Sequence, residues 1–402
     1  MRRLLYESLW KELNKSKPMT FISGPRQAGK TTLAKQIAET YQDKTYFNWD
    51  INDNKPLLLQ TPYFFQNMKR MGPGKPLVVF DEIHKYRPWK NYLKGVYDGF
   101  SEDFDFLVLG SGRLNIYRKG SDSLAGRYYL LTLWPLTLAE LVDKRRSYDE
   151  FWEDPLHLSD EQKTPWDDLD RLSGFPEPFF SGKETEYKRW STTYHSQMVR
   201  EDIRSLIDIR RVEDMEALLY LLPSRVGSPL SLDSLAKALQ VSHSAVRGWL
   251  EAFERFFLVF RLSPWSRRIS RALVKEKKLY LVDAAMNTSP AARFENRVAL
   301  ELLRAVTNWN ELGRGRFSLH YVRNKEKEEV DFLIAESNEP KLLIETKLSD
   351  DNVSKSLLKF QNALQVPAVQ LVNARSETYR LFSNAGQKVL VAPAPRWLAG
   401  LP

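Results

Sequence analysis

Two absences in the sequence exclude several classes of protein: there is no cysteine, and there is no long apolar run. Without cysteine the chain can form no disulfide, thiolate zinc site, iron–sulfur cluster or cysteine nucleophile. No stretch approaches the roughly 18–20 apolar residues that a membrane-spanning helix requires. Residues 1–13 place apolar side chains at helical spacing among charged ones, unlike a secretory signal. We therefore expect a cytoplasmic protein with no membrane partner.

Histidine is also scarce, and none of the five histidines stands at a metal-ligand spacing such as HxxxH. The sequence has neither an internal repeat nor a low-complexity tract. A chain of 402 residues, 43% hydrophobic and 28% charged, has the composition of a globular protein. Its length exceeds what one hydrophobic core usually supports, so we expect two or three domains.

Basic residues exceed acidic ones, and part of the excess is local. The 60 Lys and Arg against 51 Asp and Glu give a net charge of +9. Residues 261–278 carry a local net charge of +6, from one acid and the cations Arg261, Arg267, Arg268, Arg271, Lys275, Lys277 and Lys278. Such a cluster favours a polyanion such as DNA. A solvated basic surface is the alternative that the sequence leaves open.

Residues 20–140 alternate short apolar runs with helical patterns, which predicts an α/β domain built on a parallel sheet. Strands are expected at 20–23, 77–80, 106–109 and 128–133, and a helix at 30–41. The acidic stretch 149–170 contains two prolines and is expected to be an exposed linker or loop. It marks the end of the first domain.

The segment Gly24–Thr31 reads GPRQAGKT and matches the motif GxxxxGK[ST] between a predicted strand and a predicted helix. Backbone N–H groups of such a loop surround phosphates, Lys30 reaches the β and γ phosphates, and Thr31 ligates magnesium. We therefore predict a site for ATP and Mg²⁺ formed by Gly24, Pro25, Arg26, Gln27, Ala28, Gly29, Lys30, Thr31 and Thr32.

A second element supports this site: the apolar strand at 77–80 is followed by Asp81 and Glu82. In a P-loop fold, Asp81 would hold the magnesium ion and Glu82 would polarise the attacking water. An acid beside the metal ligand indicates hydrolysis rather than binding alone. The catalytic set is therefore predicted to include Lys30 and Glu82.

Two further polar residues complete the predicted catalytic set. Ser111 follows the strand at 106–109, where a sensor of the γ phosphate is expected, although a turn residue is the alternative. Arg127 precedes the strand at 128–133 and could reach the nucleotide of a neighbouring subunit. Arg113 and Arg87 are other candidates for this role, and an ordinary surface cation is the alternative. An arginine that acts between subunits would require a homo-oligomer.

Two short helices joined by a tight turn are predicted between 231 and 257, followed by two strands at 258–262 and 278–282. This order resembles a winged-helix domain. Arg247 lies on the polar side of the second helix, and the basic residues Arg267, Arg268, Arg271 and Lys275 lie between the strands. These residues are the candidate DNA contacts, and packing between subunits is the alternative use of the domain.

The carboxy-terminal acids resemble a PD-(D/E)xK nuclease pattern. Asp331 stands in one predicted strand, Glu345 and Lys347 share a face of the next, and Glu295 lies on the preceding helix. Such carboxylates can hold a divalent metal, and the lysine can activate water. The sequence departs from the motif because Glu329 and Val330 replace its Pro-Asp. Solvated strand acids are the alternative to this second metal site.

The sequence resembles the prokaryotic AAA-type ATPases that carry a characteristic C-terminal domain of unknown function. The segments that carry this resemblance are GPRQAGKTT, VVFDEIHK, GSGRL, SLAGRY, WPLTLAEL, GFPEP and REDI. The resemblance implies an α/β chain that binds and hydrolyses ATP. It also implies an amino-terminal ATPase domain, a central winged helix and a carboxy-terminal restriction-endonuclease-like domain. Together with the breaks in the sequence pattern, it leads us to expect a P-loop ATPase domain over 1–148, a linker and helical lid over 149–211, a winged helix over 212–290 and a restriction-endonuclease-like domain over 291–402.

Three functional hypotheses follow. The first is a Mg²⁺-dependent ATPase that forms a homo-oligomer, with a hexameric ring as one candidate, and that binds or remodels DNA. The second is an ATP-switched signalling or scaffold protein whose carboxy-terminal modules bind a protein partner. The third is a metal-dependent nuclease that ATP controls.

Overall fold

The computed structural model describes residues 1–110, 124–143, 145–159, 165–204, 211–267, 276–349, 352–373 and 379–402. By internal contacts the chain divides into two compact units, Met1–Pro135 and Leu136–Pro402. The finer predicted boundaries at 148, 211 and 290 stay predictions. No helix within the described residues is long and apolar enough to cross a membrane.

The unit Met1–Pro135 contains a five-stranded parallel sheet in the order β2-β3-β4-β1-β5. The strands are β1 (Met19–Ser23), β2 (Lys44–Asn48), β3 (Leu77–Asp81), β4 (Asp105–Leu109) and β5 (Tyr129–Thr132). The helices are α1 (Leu4–Ser16), α2 (Lys30–Glu39), α3 (Asn54–Gln60) and α4 (Trp89–Phe100). The predicted α/β domain with a parallel sheet is confirmed, whereas β2 was not among the predicted strands.

The central strands β1, β3 and β4 are buried along their whole length, as their continuous apolar runs require. Because all five strands are parallel, their carboxyl ends lie at the same edge of the sheet. The loop after β1 and the acids at the end of β3 therefore share one edge. Strand β4 lies between β1 and β3.

The unit Leu136–Pro402 begins with helices. They are α5 (Leu138–Val142), α6 (Tyr148–Glu153), α7 (Trp166–Leu172), α8 (Pro176–Ser181), α9 (Glu184–Gln197), α10 (Val212–Leu221), α11 (Leu232–Leu239) and α12 (His243–Arg255). A π-helical turn, Met198–Ile203, follows α9.

The expectation of an exposed linker or loop over 149–170 is wrong where two helices, Tyr148–Glu153 and Trp166–Leu172, occupy that stretch. Ser147 and Glu150 form a capping box that starts α6, and Phe151 is buried within that helix. Trp166 and Leu169 are likewise buried in α7. The acidic composition concealed these helices because the acids occupy the exposed positions between a few large apolar side chains.

The predicted pair of short helices and the two strands after it are present. Ser231 starts α11 and Ser242 starts α12, each by accepting a hydrogen bond from a backbone N–H three residues later. Strands β6 (Val259–Leu262) and β7 (Lys278–Leu281) then pair antiparallel. The identity of this segment as a winged helix stays a prediction.

The carboxy-terminal part of this unit is a six-stranded mixed sheet in the order β12-β13-β11-β10-β9-β8. Its strands are β8 (Phe317–Arg323), β9 (Glu329–Glu336), β10 (Glu339–Lys347), β11 (Ala368–Val372), β12 (Arg380–Asn384) and β13 (Gln387–Pro393). Helices α13 (Pro290–Glu311), α14 (Lys355–Leu364) and α15 (Ala394–Leu398) accompany it. The predicted strands of Asp331 and of Glu345 and Lys347 correspond to β9 and β10, and the predicted helix of Glu295 corresponds to α13.

Candidate active site

The loop between β1 and α2 has a backbone that requires glycine at two points. Gly24 has a φ of +146°, and a Cβ atom there would lie 2.2 Å from the carbonyl oxygen of Leu133. Gly29 has a φ of +95° and immediately precedes the first residue of α2. The loop thus ends at the amino terminus of a ten-residue helix, where backbone N–H groups and the helix dipole favour phosphate.

Lys30, the first residue of α2, is a buried cation at this loop. Its side-chain Nζ atom donates hydrogen bonds to the carbonyl oxygens of Gly24 at 3.0 Å and Pro25 at 2.5 Å. Both acceptors belong to the loop itself. The ammonium group therefore lies against the backbone that is predicted to surround the phosphates.

Arg3, which immediately precedes α1, also contacts this loop, and the sequence analysis did not identify it. The residue is 4% exposed, and its guanidinium donates to the carbonyl oxygens of Ala28 at 3.0 Å and Trp134 at 2.8 Å. A single buried cation thus connects the loop to the segment that follows β5.

Asp81 ends β3 and is bound by two hydroxyl groups. Its Oδ2 atom accepts hydrogen bonds from Thr31 Oγ1 at 3.0 Å and from Tyr46 Oη at 2.6 Å. Burial raises the pKa of Asp81, and the two hydroxyl donors offset part of that rise. A carboxylate next to a hydroxyl offers the oxygen ligands that Mg²⁺ prefers. Tyr46 lies on the unpredicted strand β2, so sequence reasoning missed it.

Glu82 follows with a left-handed backbone, at a φ of +55°. Its Oε2 atom lies 3.1 Å from Lys85 Nζ and 3.7 Å from the Nε2 atom of His84. Lys85 is also paired with Asp50 at 2.5 Å. Burial acts to lower the pKa of Lys85, but its ion pairs with Asp50 and Glu82 outweigh this and raise it. Glu82 is therefore held by a neighbouring cation, which the sequence did not indicate.

The remaining predicted catalytic residues have different outcomes. Arg127 forms a two-point ion pair with Asp98 of α4, with Nε 2.6 Å from Oδ1 and Nη2 3.1 Å from Oδ2. Ser111 and the alternative Arg113 lie outside the described residues. Arg87, the other alternative, is exposed.

In the second unit, the predicted metal-binding acids come together near the start of β9 and the end of β10. The backbone N–H of Asp331 donates to Glu345 Oε2 at 3.4 Å, and Lys347 Nζ is 2.7 Å from Glu345 Oε1. Burial and the charge of Asp331 raise the pKa of Glu345 to about 7. The same two causes raise the pKa of Glu295 on α13 to about 8.

Lys278 of β7 joins these acids, contrary to its assignment to the basic cluster. The residue is 1% exposed, and its Nζ atom lies 3.1 Å from Glu295 Oε1 and 3.5 Å from Asp331 Oδ1. No group of three or more histidine or acidic side chains in the described ranges is arranged to hold a metal ion. The second metal site, predicted from Glu295, Asp331, Glu345 and Lys347, therefore stays a prediction.

The candidate DNA contacts are only partly described. Arg247 on α12 and Arg267 after β6 are exposed. Arg268, Arg271 and Lys275 lie outside the described residues. Arg261 is ion-paired with Glu254 at 2.6 Å, so it and Lys278 do not add to an external charge of +6.

A comparison with known protein families assigns most of the first unit to a family. Residues 16–142 match the family described as an AAA domain. Residues 168–294 and 291–397 match two families described only as domains of unknown function, DUF8612 and DUF4143. The chain thus carries an AAA-type P-loop ATPase domain followed by two domains of unassigned function.

Individual relatives are distant. Uncharacterized proteins of Mycobacterium bovis and Mycobacterium tuberculosis are each 22% identical over 363 residues, covering 88% of this chain and 76% of each relative. An uncharacterized protein of Methanocaldococcus jannaschii is 22% identical over 302 residues, covering 69% of this chain and 63% of its own length.

Two solved structures resemble parts of the chain. The Walker-type ATPase of Pyrococcus abyssi is 14% identical with a TM-score of 0.45, covering 71% of this chain and 94% of that one. The Orc1 protein of Aeropyrum pernix in complex with DNA is 13% identical with a TM-score of 0.30, covering 71% and 88%.

Proposed function

We propose that the chain is a Mg²⁺-dependent ATPase whose turnover is coupled to DNA binding or remodelling. The observation that carries the ATPase part is the hydrogen bond of 3.0 Å between Thr31 and Asp81, beside the buried Lys30. It joins the phosphate-binding loop to the acid at the end of β3. The residues present fit ATP with magnesium, because a buried carboxylate and a hydroxyl stand next to a glycine-rich helix start.

Each residue then has a distinct role. The loop from Gly24 to Thr32 binds the phosphates, and Lys30 contributes a charge-assisted hydrogen bond to them. Thr31 and Asp81 hold Mg²⁺, which when bound neutralises phosphate charge. Glu82 accepts a proton from the attacking water as that water approaches the γ phosphate. Ser111 senses the γ phosphate in this proposal.

Arg127 acts in this proposal as an arginine supplied to a neighbouring subunit, which requires a homo-oligomer. Its ion pair with Asp98 would have to open before it could reach a neighbour's nucleotide. Arg127→Ala is expected to abolish turnover while ATP binding remains, and Asp98→Asn is expected to preserve turnover. Equal losses in both variants would instead assign Arg127 a structural role. Mixing Arg127→Ala with Lys30→Ala protein should restore activity, and assembled mixtures without activity would contradict the proposal.

DNA coupling rests on the net charge of +9 and on the exposed arginines of the helix pair and the hairpin. Arg247 projects from the second helix of the pair, where a recognition helix carries its base or phosphate contacts. Arg267 lies just after β6, and Arg268, Arg271 and Lys275 follow it in the sequence as further proposed DNA contacts. The second candidate, an ATP-switched scaffold, would use these elements to bind a protein partner.

ATP turnover measured with and without duplex, single-stranded and branched DNA over a salt series tests this proposal. Stimulation that declines with salt supports DNA coupling, because phosphate contacts release counterions. Turnover that DNA does not change would favour the scaffold. Glu82→Gln protein is the blank, and turnover equal to wild type in both Glu82→Gln and Lys30→Ala would overturn the assignment of the site.

A further inference from the structure

A buried lysine lies at the centre of the acidic cluster in the second unit. The Nζ atom of Lys278 is 2.6 Å from Glu329 Oε1, 3.1 Å from Glu295 Oε1 and 3.5 Å from Asp331 Oδ1. The lysine side chain is only 1% exposed, so water screens these contacts weakly. Carboxylates of α13 and β9 therefore share one ammonium group of β7.

The surroundings hold both the lysine and its partners in place. Tyr280 Oη donates to Glu295 Oε1 at 2.8 Å, and the Lys278 ammonium lies 5.6 Å from the centre of the Tyr321 ring. A Cβ atom on Gly227 would lie 2.6 Å from Glu295 Oε2, so the backbone packs closely against that oxygen. The ammonium group of Lys278 thus lies in a closely packed polar environment.

The other oxygens of the cluster are also engaged. Asp331 Oδ2 accepts from the backbone N–H of Thr346 at 2.9 Å and from its hydroxyl at 2.6 Å. Glu345 Oε1 pairs with Lys347 at 2.7 Å, and Oε2 accepts from the Asp331 N–H at 3.4 Å. A divalent cation needs several such oxygens at about 2.0–2.6 Å. It would have to displace these donors.

The backbone fixes the position of this lysine. In the β6–β7 ladder Lys278 pairs with Leu262, and it forms an isolated bridge with Pro229 on its other side. Alternation along β7 points Lys278 and Tyr280 to one face, toward the acids that both of them contact. The ammonium is therefore carried by a strand with partners on two sides.

We propose that Lys278 is the resident cation of this cluster. Its ammonium takes the position that a divalent metal would need, and the acids fasten β7 to α13 and β9 instead of supporting metal-dependent hydrolysis. The inference is independent of the proposed ATPase activity. It favours a module that binds without cutting over the third hypothesis, a nuclease controlled by ATP.

Calorimetric titration of Mn²⁺ into the full chain without nucleotide tests this. Wild type and Asp331→Asn are expected to give the same isotherm. Lys278→Met is expected to gain one Mn²⁺ per chain, which the double variant Lys278→Met/Asp331→Asn loses again. Lys341→Met is the matched control, because Lys341 has an exposed ion pair with Glu336 at 3.0 Å, and it should match wild type.

Two results would overturn the proposal. One is a Mn²⁺ site in wild type, or Mn²⁺-dependent DNA cleavage, that Asp331→Asn removes. The other is folded Lys278→Met protein that gains no site. If Lys278→Met does not fold, Lys278→Gln/Glu295→Gln removes one charge of each sign and takes its place in the titration. The comparison of wild type with Asp331→Asn needs no lysine variant.

Discussion

The protein contains two sets of buried carboxylates, and they differ in what satisfies them. Asp81 is held at its Oδ2 atom by the hydroxyls of Thr31 and Tyr46, which donate hydrogen bonds without bringing positive charge. Asp331 is held by the ammonium of Lys278 together with the Thr346 donors. The first set keeps a negative charge available to a metal ion. The second set already contains its cation.

Acids at strand ends therefore do not define a metal site by themselves. Burial raises the pKa of Asp81 in the first site and of Glu345 in the second, because both of these groups lose water. What separates the two sites is the charge of the partner that the fold supplies. A hydroxyl orients an acid for a metal ion, whereas a buried ammonium replaces the ion.

The largest expected effect is at Glu82. Glu82→Gln should lower ATP turnover by about 10²–10⁴-fold, because the amide cannot accept the proton of the attacking water. ATP binding, measured by fluorescence of a labelled nucleotide, should remain. Glu102→Gln changes an exposed acid of the same unit and should leave turnover unchanged. Rapid ATP turnover in Glu82→Gln would contradict the assignment of Asp81 and Glu82 to a catalytic site, on which the comparison of the two sets of acids depends.

The next largest effect is on stability at Lys278. Lys278→Met leaves Glu295, Glu329 and Asp331 without their shared cation, and breaking a buried pair in this way costs about 3–5 kcal/mol. Urea unfolding of the full chain should show the loss. Lys341→Met, on an exposed pair, should change the free energy of unfolding by at most about 1 kcal/mol. Equal stability of the two variants would show that Lys278 does not balance the acids.

A third buried carboxylate, Asp283, extends the comparison to a histidine partner. His195 Nε2 lies 3.8 Å from Asp283 Oδ2, and burial lowers the pKa of His195 against the opposing charge of Asp283. The unfolded state therefore binds the proton first as the pH falls. Neutral His195 therefore makes its full contribution to the free energy of unfolding above about pH 6.5. Below that pH the contribution is lost, by up to about 1.4 kcal/mol per pH unit.

Urea unfolding between pH 7.5 and 5.5 checks this expectation. His195→Gln should weaken the decline in stability toward low pH, whereas His243→Gln, at a more exposed site, should keep the wild-type profile. Asp283 remains in both variants. Burial raises its pKa and the charge of His195 offsets part of that rise, so His195→Gln raises the pKa of Asp283 further and weakens the decline in the same direction. Profiles of the same slope in wild type and His195→Gln would contradict the assignment.

The smallest expected effect is at Tyr46. Tyr46→Phe removes one hydrogen bond to Asp81, worth about 0.5–1.5 kcal/mol, and should raise the Mg²⁺ concentration for half-maximal turnover about two- to tenfold. Tyr41→Phe removes a similar bond, of 2.7 Å, to Asp105 at the opposite end of β4 and should leave the Mg²⁺ dependence unchanged. Identical Mg²⁺ dependence in Tyr46→Phe and wild type would show that Tyr46 does not orient Asp81.

The sequence predicted the first site better than the second for a physical reason. The phosphate-binding loop is contiguous, and Asp81 and Glu82 follow a recognisable apolar strand, so local spacing located them. Lys278 depends on partners 17 to 53 residues away, and a count of local charge placed it on a basic surface. Its alternation with Tyr280 in a short apolar strand was the signal that could have placed it inside.

The sequence analysis missed strands that lie at the edges of the sheets, where few apolar side chains are buried. Strand β2 is half-exposed at one edge of its sheet, so its apolar run is weak and Tyr46 was missed. Strand β12 is an exposed edge strand with little apolar patterning. Central strands such as β3 and β4 were predicted because burial on both faces requires continuous apolar residues.

Counting the Mn²⁺ ions bound per chain, by electron paramagnetic resonance with a saturating nonhydrolysable ATP analogue, tests the contrast between the two sites most directly. We expect one ion per chain, lost in Asp81→Asn and retained in Asp331→Asn. A second ion that Asp331→Asn removes, or an ion that survives Asp81→Asn, would contradict the account.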